Sequence, residues 1–370
     1  MKRAVVVGGG ILGTWHAIEL RRAGYSVAHL EADVDPMGAS VRNFGLLWVS
    51  GRRSGTELEV ALRSLRRWQE ISPRAPGIGF RANGSLTVAL TEGERKVMES
   101  FAQHPDAAKR STVFLEPEQM AELNPAVRGE VTGGLHCADD AVVEPRLALA
   151  ALRGYLKSTP GYALYPKCRI VAVEEQGVRD TSGRRWDADI VIVATGAAFD
   201  HLPGASEFGS NLRRVRLQMF ETAPFGHQLT TSVADADSLR YYPAYEVVDR
   251  QPLGRQTPVA EAHQMQLLLV QRLDGGLTIG DTHAHEEPFD FALVEDPTDE
   301  LLRKAADVLG QAVPPVTRRW EGVYSQCVDG GVCARHELAP GVWMVTGPGG
   351  RGMTCAPAIA ADTLTTAGIA

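Results

Sequence analysis

The run Ala4-Val5-Val6-Val7-Gly8-Gly9-Gly10-Ile11-Leu12-Gly13 limits the folds open to this chain more than any other stretch. A β-branched run suits a buried parallel strand, and glycines at the first, third and sixth positions of the following turn suit a dinucleotide-binding strand-turn-helix unit. The glycines divide the work. Gly8 permits the tight turn, Gly10 lets the backbone approach a pyrophosphate, and Gly13 lets the helix pack close on the strand. The helix is expected over residues 11–23, with Leu12, Trp15, Ile18 and Leu20 apolar and Gly24 as terminator. A second strand over residues 25–30 leads to Glu31, where a ribose hydroxyl would meet an acid. The helix N-terminus offers N–H donors and a partial positive charge to phosphates. The plain alternative is a glycine-rich turn with a structural role only.

Two distant segments read as parts of the same unit. A helix is expected over residues 146–157 after Pro145, then a strand at 168–173, a hairpin over 177–186, and a buried strand at 189–194 closed by Thr195-Gly196. Near the end, a strand at 342–346 enters Gly347-Pro348-Gly349-Gly350-Arg351-Gly352-Met353-Thr354 and a small-residue helix over 356–367. Two glycine-rich strand-to-helix turns thus bracket the chain and suit a dinucleotide held at both ends. Between them, residues 78–90, 212–222, 264–273 and 276–280 alternate in polarity, as an antiparallel sheet does, and residues 298–309 form an amphipathic helix.

Composition narrows the function. The chain has 370 residues, with 38 Lys+Arg against 45 Asp+Glu and a net charge of −7, which excludes a nucleic-acid binder built on phosphate contacts. No apolar run reaches the roughly 20 residues of a membrane span, and a cytoplasmic protein is expected. The five cysteines, Cys137, Cys168, Cys327, Cys333 and Cys355, are scattered without a C-x-x-C pair, so plain thiols are expected and no metal site.

The fingerprint with Glu31, the 168–173 strand, Val193-Ala194-Thr195-Gly196 and the last glycine turn resemble the FAD-dependent D-amino acid oxidase superfamily, which includes glycine oxidase and monomeric sarcosine oxidase. The segments Ala39-Ser40-Val41-Arg42-Asn43-Phe44-Gly45-Leu46-Leu47-Trp48, Arg240-Tyr241-Tyr242-Pro243, Gly280-Asp281-Thr282-His283 and Trp320-Glu321-Gly322-Val323-Tyr324 are similar to a bacterial subgroup associated with phosphonate catabolism. The resemblance covers essentially the whole chain. It implies an α/β, Rossmann-like FAD-binding domain dissected in sequence (1–77, 140–211 and 321–370) and an α+β, antiparallel-sheet substrate domain (78–139 and 212–320).

It further implies oxidation of the C–N bond of a small anionic amine, such as N-methyl-2-aminoethylphosphonate, by hydride transfer to flavin N5. Oxygen or another electron acceptor would be the second partner. Glycine, sarcosine or D-amino acid oxidation is the alternative; a non-catalytic flavoprotein or an NADH-using reductase is the reading from another class. FAD contacts are expected from Gly8, Gly10, Ile11, Leu12, Gly13, Glu31, Ala32, Ser40, Arg42, Asn43, Val171, Ala194, Gly196, Gly347, Gly350, Arg351, Gly352, Met353 and Thr354.

Departures from the family pattern set the remaining expectations. Amino acid oxidising relatives place a carboxylate-clamping arginine in a turn that here reads Gly322-Val323-Tyr324-Ser325. The carboxylate-binding lysine, oxygen-activating lysine and flavin-linking cysteine of sarcosine oxidase relatives correspond to Thr354, Thr278 and Gly322, so noncovalent FAD and an altered anion site are expected. Tyr324, His283, Arg351 and Tyr242 are the catalytic candidates; Arg42, Asn43, Trp48 and His263 are the substrate-binding ones. Each also has a bland reading as a core aromatic, a satisfied histidine or a surface arginine.

Overall fold

A computed structural model describes residues 2–202 and 211–369, so positions 203–210 of the expected FAD-binding segment lie outside the described residues. The first strand, Arg3–Val7, is buried from Ala4 onward and lies inside a six-stranded sheet. Its neighbours are Ser26–Leu30 and Ile190–Val193, both parallel to it. Tyr162–Tyr165 and Val342–Thr346 extend the sheet in parallel on either side, and Ala334–Ala339 closes one edge antiparallel. Burial on both faces explains why these strands are continuous Val/Ile runs.

Helices Ile11–Arg22 and Gly352–Thr366 pack on this sheet and on each other, and Thr56–Ile71 covers them. Trp15 and Trp68 meet edge to face with ring centroids 5.1 Å apart, an aromatic contact worth about 1 kcal/mol beyond its buried area. The expected hairpin forms as Gly177–Asp180 with Arg185–Asp187, joined to Ile170–Glu174 in a separate three-stranded sheet.

The alternating segments build an eight-stranded sheet, ordered Val316–Cys327, Leu212–Pro224, Gly276–Gly280, Leu268–Gln271, Ser232–Ala234, Ser85–Ala89, Gly133–Cys137 and Thr112–Leu115. All of its neighbours are antiparallel except Ser232–Ala234 beside Ser85–Ala89, which run parallel. Those two strands are far apart in sequence, so no tight hairpin dictates their direction. Val316–Cys327 crosses the expected boundary at 320/321 and pairs along its length with Leu212–Pro224. Helix Glu295–Leu309 buries Leu301, Ala305, Val308 and Leu309 and starts three residues earlier than its apolar pattern. All five cysteines are free. Among the described residues, no helix is long and apolar enough to cross a membrane and no side-chain cluster is placed to hold a metal ion.

Candidate active site

One cavity of about 900 Å³ runs from the first glycine turn to the eight-stranded sheet. That lies at the upper end of single-ligand pockets and leaves room for a dinucleotide with a small substrate. The glycines explain its shape. A Cβ on Gly8, whose φ is +102°, would sit 2.3 Å from the Ala194 carbonyl oxygen, and one on Gly13 would sit 1.9 Å from that of Gly8. A Cβ on Gly10 would meet only Ser40 Oγ, at 3.1 Å. Gly8 and Gly13 thus serve close packing, and Gly10 keeps a lining surface open.

Two helix N-termini face this cavity. Neither Ile11–Arg22 nor Gly352–Thr366 has a side-chain cap from its N-cap residue or an acid in its first turn. Both leave a partial positive charge for an anion. Ser40 Oγ accepts from Ile11 N at 2.9 Å, tying the Ala39–Val41 turn to the first helix. Glu31 accepts from Gly9 N at 2.7 Å and from Asp33 N at 2.9 Å, and its carboxylate keeps lone pairs for a hydroxyl. His29 Nε2 donates to the Gly8 carbonyl at 2.9 Å, while its Nδ1 accepts from Tyr162 Oη at 3.0 Å.

Most of the residues singled out from sequence line the cavity: Gly8, Gly10, Ile11, Leu12, Glu31, Ala32, Ser40, Arg42, Asn43, Trp48, Val171, Ala194, Gly196, Tyr242, His283, Tyr324, Gly350, Arg351, Gly352 and Met353. Four do not. Gly13 is packed behind the turn, and a Cβ on Gly347 would strike Leu212 Cδ2 at 2.6 Å and Cys327 Sγ at 2.8 Å. Thr354 is buried, with its hydroxyl accepting from Trp48 N at 2.9 Å and donating to Leu46 O at 3.3 Å. His263 contributes its carbonyl to His283 N at 2.9 Å, and its ring lies outside the cavity.

Arg351, a catalytic candidate from the sequence, is already engaged by the protein. Its Nε and two Nη donate to the carbonyls of Pro348, Gly330 and Gly331, and Nη1 lies 3.3 Å from Glu57. Asn43 is similarly engaged, bonding Ala39 O at 2.8 Å and Gly45 N at 2.7 Å. Arg42 donates to Glu321 O at 3.0 Å.

The spare positive charge belongs to Arg52, which the sequence reading passed over. Arg52 is 4% exposed and lines the cavity. Its Nε donates to Trp48 O at 2.7 Å and Nη1 lies 3.5 Å from Glu57. Its Nη2 bonds none of the described residues. Glu57 therefore sits between two buried guanidiniums, so the trio carries one more positive than negative charge. The Tyr242 ring lies 5.5 Å from Arg52 Cζ and 5.8 Å from the Trp48 ring.

Tyr241, also missed, stacks on the His283 ring at 4.3 Å and shows 36% of its surface, which faces the cavity. Tyr324 Oη is buried without a formed hydrogen bond, beside Tyr241 and 3.7 Å from where a Gly350 Cβ would stand. Burial pushes the Tyr241, Tyr242 and Tyr324 phenols well up, so all three remain protonated donors near neutral pH. Gln266 and Asp281 complete this part of the lining.

Comparison with known proteins places this geometry. The family model for FAD dependent oxidoreductases matches residues 3–365. The chain belongs to that family. An opine oxidase subunit of Rhizobium meliloti is 31% identical over 147 residues, which are 36% of this chain and 39% of that protein. The formaldehyde-forming 4-methylaminobutanoate oxidase of Paenarthrobacter nicotinovorans is 33% identical over 156 residues, 40% of this chain and 18% of that protein. The matched region thus spans well under half of either curated relative. The solved glycine oxidase of Geobacillus kaustophilus superposes with a TM-score of 0.77 over 98% of this chain and 93% of its own, at 20% identity, a likeness of fold alone.

FAD is the cofactor of this family, and the residues present fit it. The side-chain-free surface at Gly10, the two uncapped helix N-termini and Glu31 lie along one cavity, as pyrophosphate, ribose and a ring that gains negative charge on reduction require. Gly322, where an added Cβ would sit 3.2 to 3.3 Å from Arg42 O and Leu217 Cδ1, offers no thiol for a covalent flavin link.

Proposed function

We propose that this protein oxidises the C–N bond of a small anionic amine, with an aminophosphonate such as N-methyl-2-aminoethylphosphonate as favoured substrate, giving an imine that hydrolyses to an aldehyde and an amine. The observation that carries this reading is the buried Arg52-Glu57-Arg351 trio, whose leftover positive charge lies on the cavity wall with an Arg52 edge unused. Two buried guanidiniums sharing one carboxylate are costly, and a phosphonate or carboxylate entering the cavity would add the missing counter-charge. The name of the 4-methylaminobutanoate oxidase supports the substrate class, since that compound is also an N-methyl amine on a short chain ending in an anion.

Oxidised FAD would accept hydride from the carbon bonded to nitrogen. Gly8, Gly10 and the Ile11–Arg22 N-terminus would hold its pyrophosphate, Glu31 its ribose, and Gly350, Gly352 and the last helix its ring. Arg52 would hold the substrate anion while Trp48 and Tyr242 exclude water from the chamber. Tyr324, with its hydroxyl beside the Tyr241 phenol and above the Gly349–Arg351 turn, would orient the amine. Positioning of this kind supplies most of what hydride transfer needs from a protein.

The test is product analysis without oxygen. With N-methyl-2-aminoethylphosphonate, one trapped aldehyde should appear for each FAD reduced. Reduction by no amine, and no trapped carbonyl product from any, would overturn the reading.

A further inference from the structure

The wall formed by residues 264–285 carries hydrogen-bond acceptors that lack donors. Gln266 Oε1 is buried and unpartnered. Asp281, 5% exposed, receives only a long 3.4 Å bond on Oδ1 from Gln266 Nε2, which is shared with Tyr242 Oη at 3.3 Å. Its Oδ2 makes no hydrogen bond and lies 3.8 Å from His283 Nε2. The His283 tautomer follows from its other side: Nδ1 is 2.9 Å from the Gln264 carbonyl, which can only accept, so Nδ1 bears the proton. When Nδ1 alone carries a proton, Nε2 faces the carboxylate oxygen as an acceptor. Three acceptors converge on one lining, and among the described residues the only hydrogen bond any of them receives is the long one from Gln266 Nε2, the reverse of the Arg52 side.

We propose that Asp281, His283 and Gln266 are the receptor for the substrate's ammonium group, and that the Asp281–His283 pair takes its proton before the carbon–hydrogen bond breaks. This rests on the amine-oxidation reading above and deepens it. An ammonium supplies both the counter-charge and the N–H donors this wall lacks. In the transfer, an N–H bond of the ammonium breaks, its electron pair stays on nitrogen, and the proton forms a new bond at His283 Nε2 opposite the Asp281 carboxylate. The lone pair left on nitrogen is what hydride loss from the adjacent carbon requires. Tyr241, stacked on the imidazole, holds the ring in register, and burial raises the Asp281 carboxyl's affinity for a proton.

The other titratable or charged groups facing the pair are Tyr241, Tyr242 and Tyr324, the guanidiniums of Arg52 and Arg213, and His285. The phenols stay protonated, the guanidiniums stay charged, and burial pushes His285 down to about 4. An acid limb in the rate that moves in Asp281 and His283 variants therefore reports the pair.

The test uses FAD-loaded protein and three probes whose nitrogen-bearing carbon, where present, carries no hydrogen: 2-amino-2-methylpropylphosphonate, propylphosphonate and tert-butylamine. Wild-type protein should bind the aminated phosphonate at least about tenfold more tightly than propylphosphonate. Asp281→Asn should lose that advantage and tert-butylamine binding, while holding propylphosphonate within about twofold. With an oxidisable amine, the rate of flavin reduction should fall as pH drops. Asp281→Asn should move that limb to lower pH, because the imidazolium loses its counter-charge, and His283→Gln should remove it. Equal wild-type affinity for the two phosphonates, or an FAD-loaded Asp281→Asn with unchanged amine binding, overturns the receptor. Should that variant fail to load FAD, the wild-type comparison and His283→Gln decide alone. Failure of propylphosphonate to bind wild type while tert-butylamine binds would strike the anion reading and support the receptor.

Discussion

Two neighbouring arginines show what a residue name conceals. Arg351 sits in a glycine-rich turn and so stood out in the sequence, yet three of its nitrogens hold the carbonyls of Pro348, Gly330 and Gly331. Arg52, in an unremarkable Gly51-Arg52-Arg53 stretch, keeps an unused edge in the cavity. Sequence does not reveal which guanidinium is already spent, because its acceptors are backbone oxygens contributed by other segments. We expect Arg52→Met to weaken propylphosphonate binding by at least about tenfold with FAD content retained, the loss of one charge-assisted contact; unchanged affinity would return Arg52 to a structural role. Tyr324 has the opposite history, being legible from its place in Trp320-Glu321-Gly322-Val323-Tyr324 and found with its hydroxyl beside Tyr241 but held by no hydrogen bond of normal length. Tyr324→Phe should leave melting temperature and FAD content nearly unchanged and slow flavin reduction roughly five- to tenfold, the value of one hydrogen bond of about 1 kcal/mol. Stopped-flow reduction of the loaded variant at the wild-type rate would show that the phenol only packs.

Single elements carried the clearest signal. The first strand, turn and helix were readable because period, glycine spacing and terminator agree within thirty residues, and the helix Ile11–Arg22 ends within a residue of expectation. The last helix starts at Gly352, four residues before its small-residue run, since Gly349–Arg351 already winds as a turn leading into it. Within the first turn the glycines separate by function. Gly10→Val has extended backbone and only Ser40 Oγ to displace, so it should fold with a normal apo melting temperature and retain no FAD. Gly13→Val must push against the Gly8 carbonyl, so it should lose roughly 3 kcal/mol or more of stability before cofactor binding is considered. Absorbance of the purified variants and their apo melts separate the two, and a yellow, fully loaded Gly10→Val protein would contradict the assignment of the turn.

At the scale of the molecule, the sheets assemble from segments whose partners lie far away in sequence, and this was the least legible level. Alternation showed that strands exist; it said nothing of the parallel pairing of Ser232–Ala234 with Ser85–Ala89. The chamber is a product of that assembly, joining Arg52, Tyr241, Asp281 and Tyr324, none of which is near another in sequence except through folding. Two histidines buried beneath the dinucleotide turn tie whole-molecule stability to pH. Burial pushes His16 and His29 down to about 4 from the usual 6.5. Below about pH 6.5 the unfolded chain binds protons that the folded chain refuses, so stability is lost as pH falls from there toward 4, by at most about 3 kcal/mol per ring. Melting temperature should therefore decline steadily across that window; a flat profile would show that the rings are not held neutral.

The central claim is that one cavity joins an FAD site to a chamber for a small anionic amine. Anaerobic mixing of the oxidised, FAD-loaded protein with glycine, sarcosine, D-alanine, 2-aminoethylphosphonate and N-methyl-2-aminoethylphosphonate tests it most directly, because flavin bleaching reports the reductive half-reaction whatever the electron acceptor. The account predicts rapid bleaching by an aminophosphonate, the N-methyl compound foremost, and slow bleaching by the amino acids. Bleaching by glycine or D-alanine as fast as by either phosphonate, or by none of the five, would contradict it.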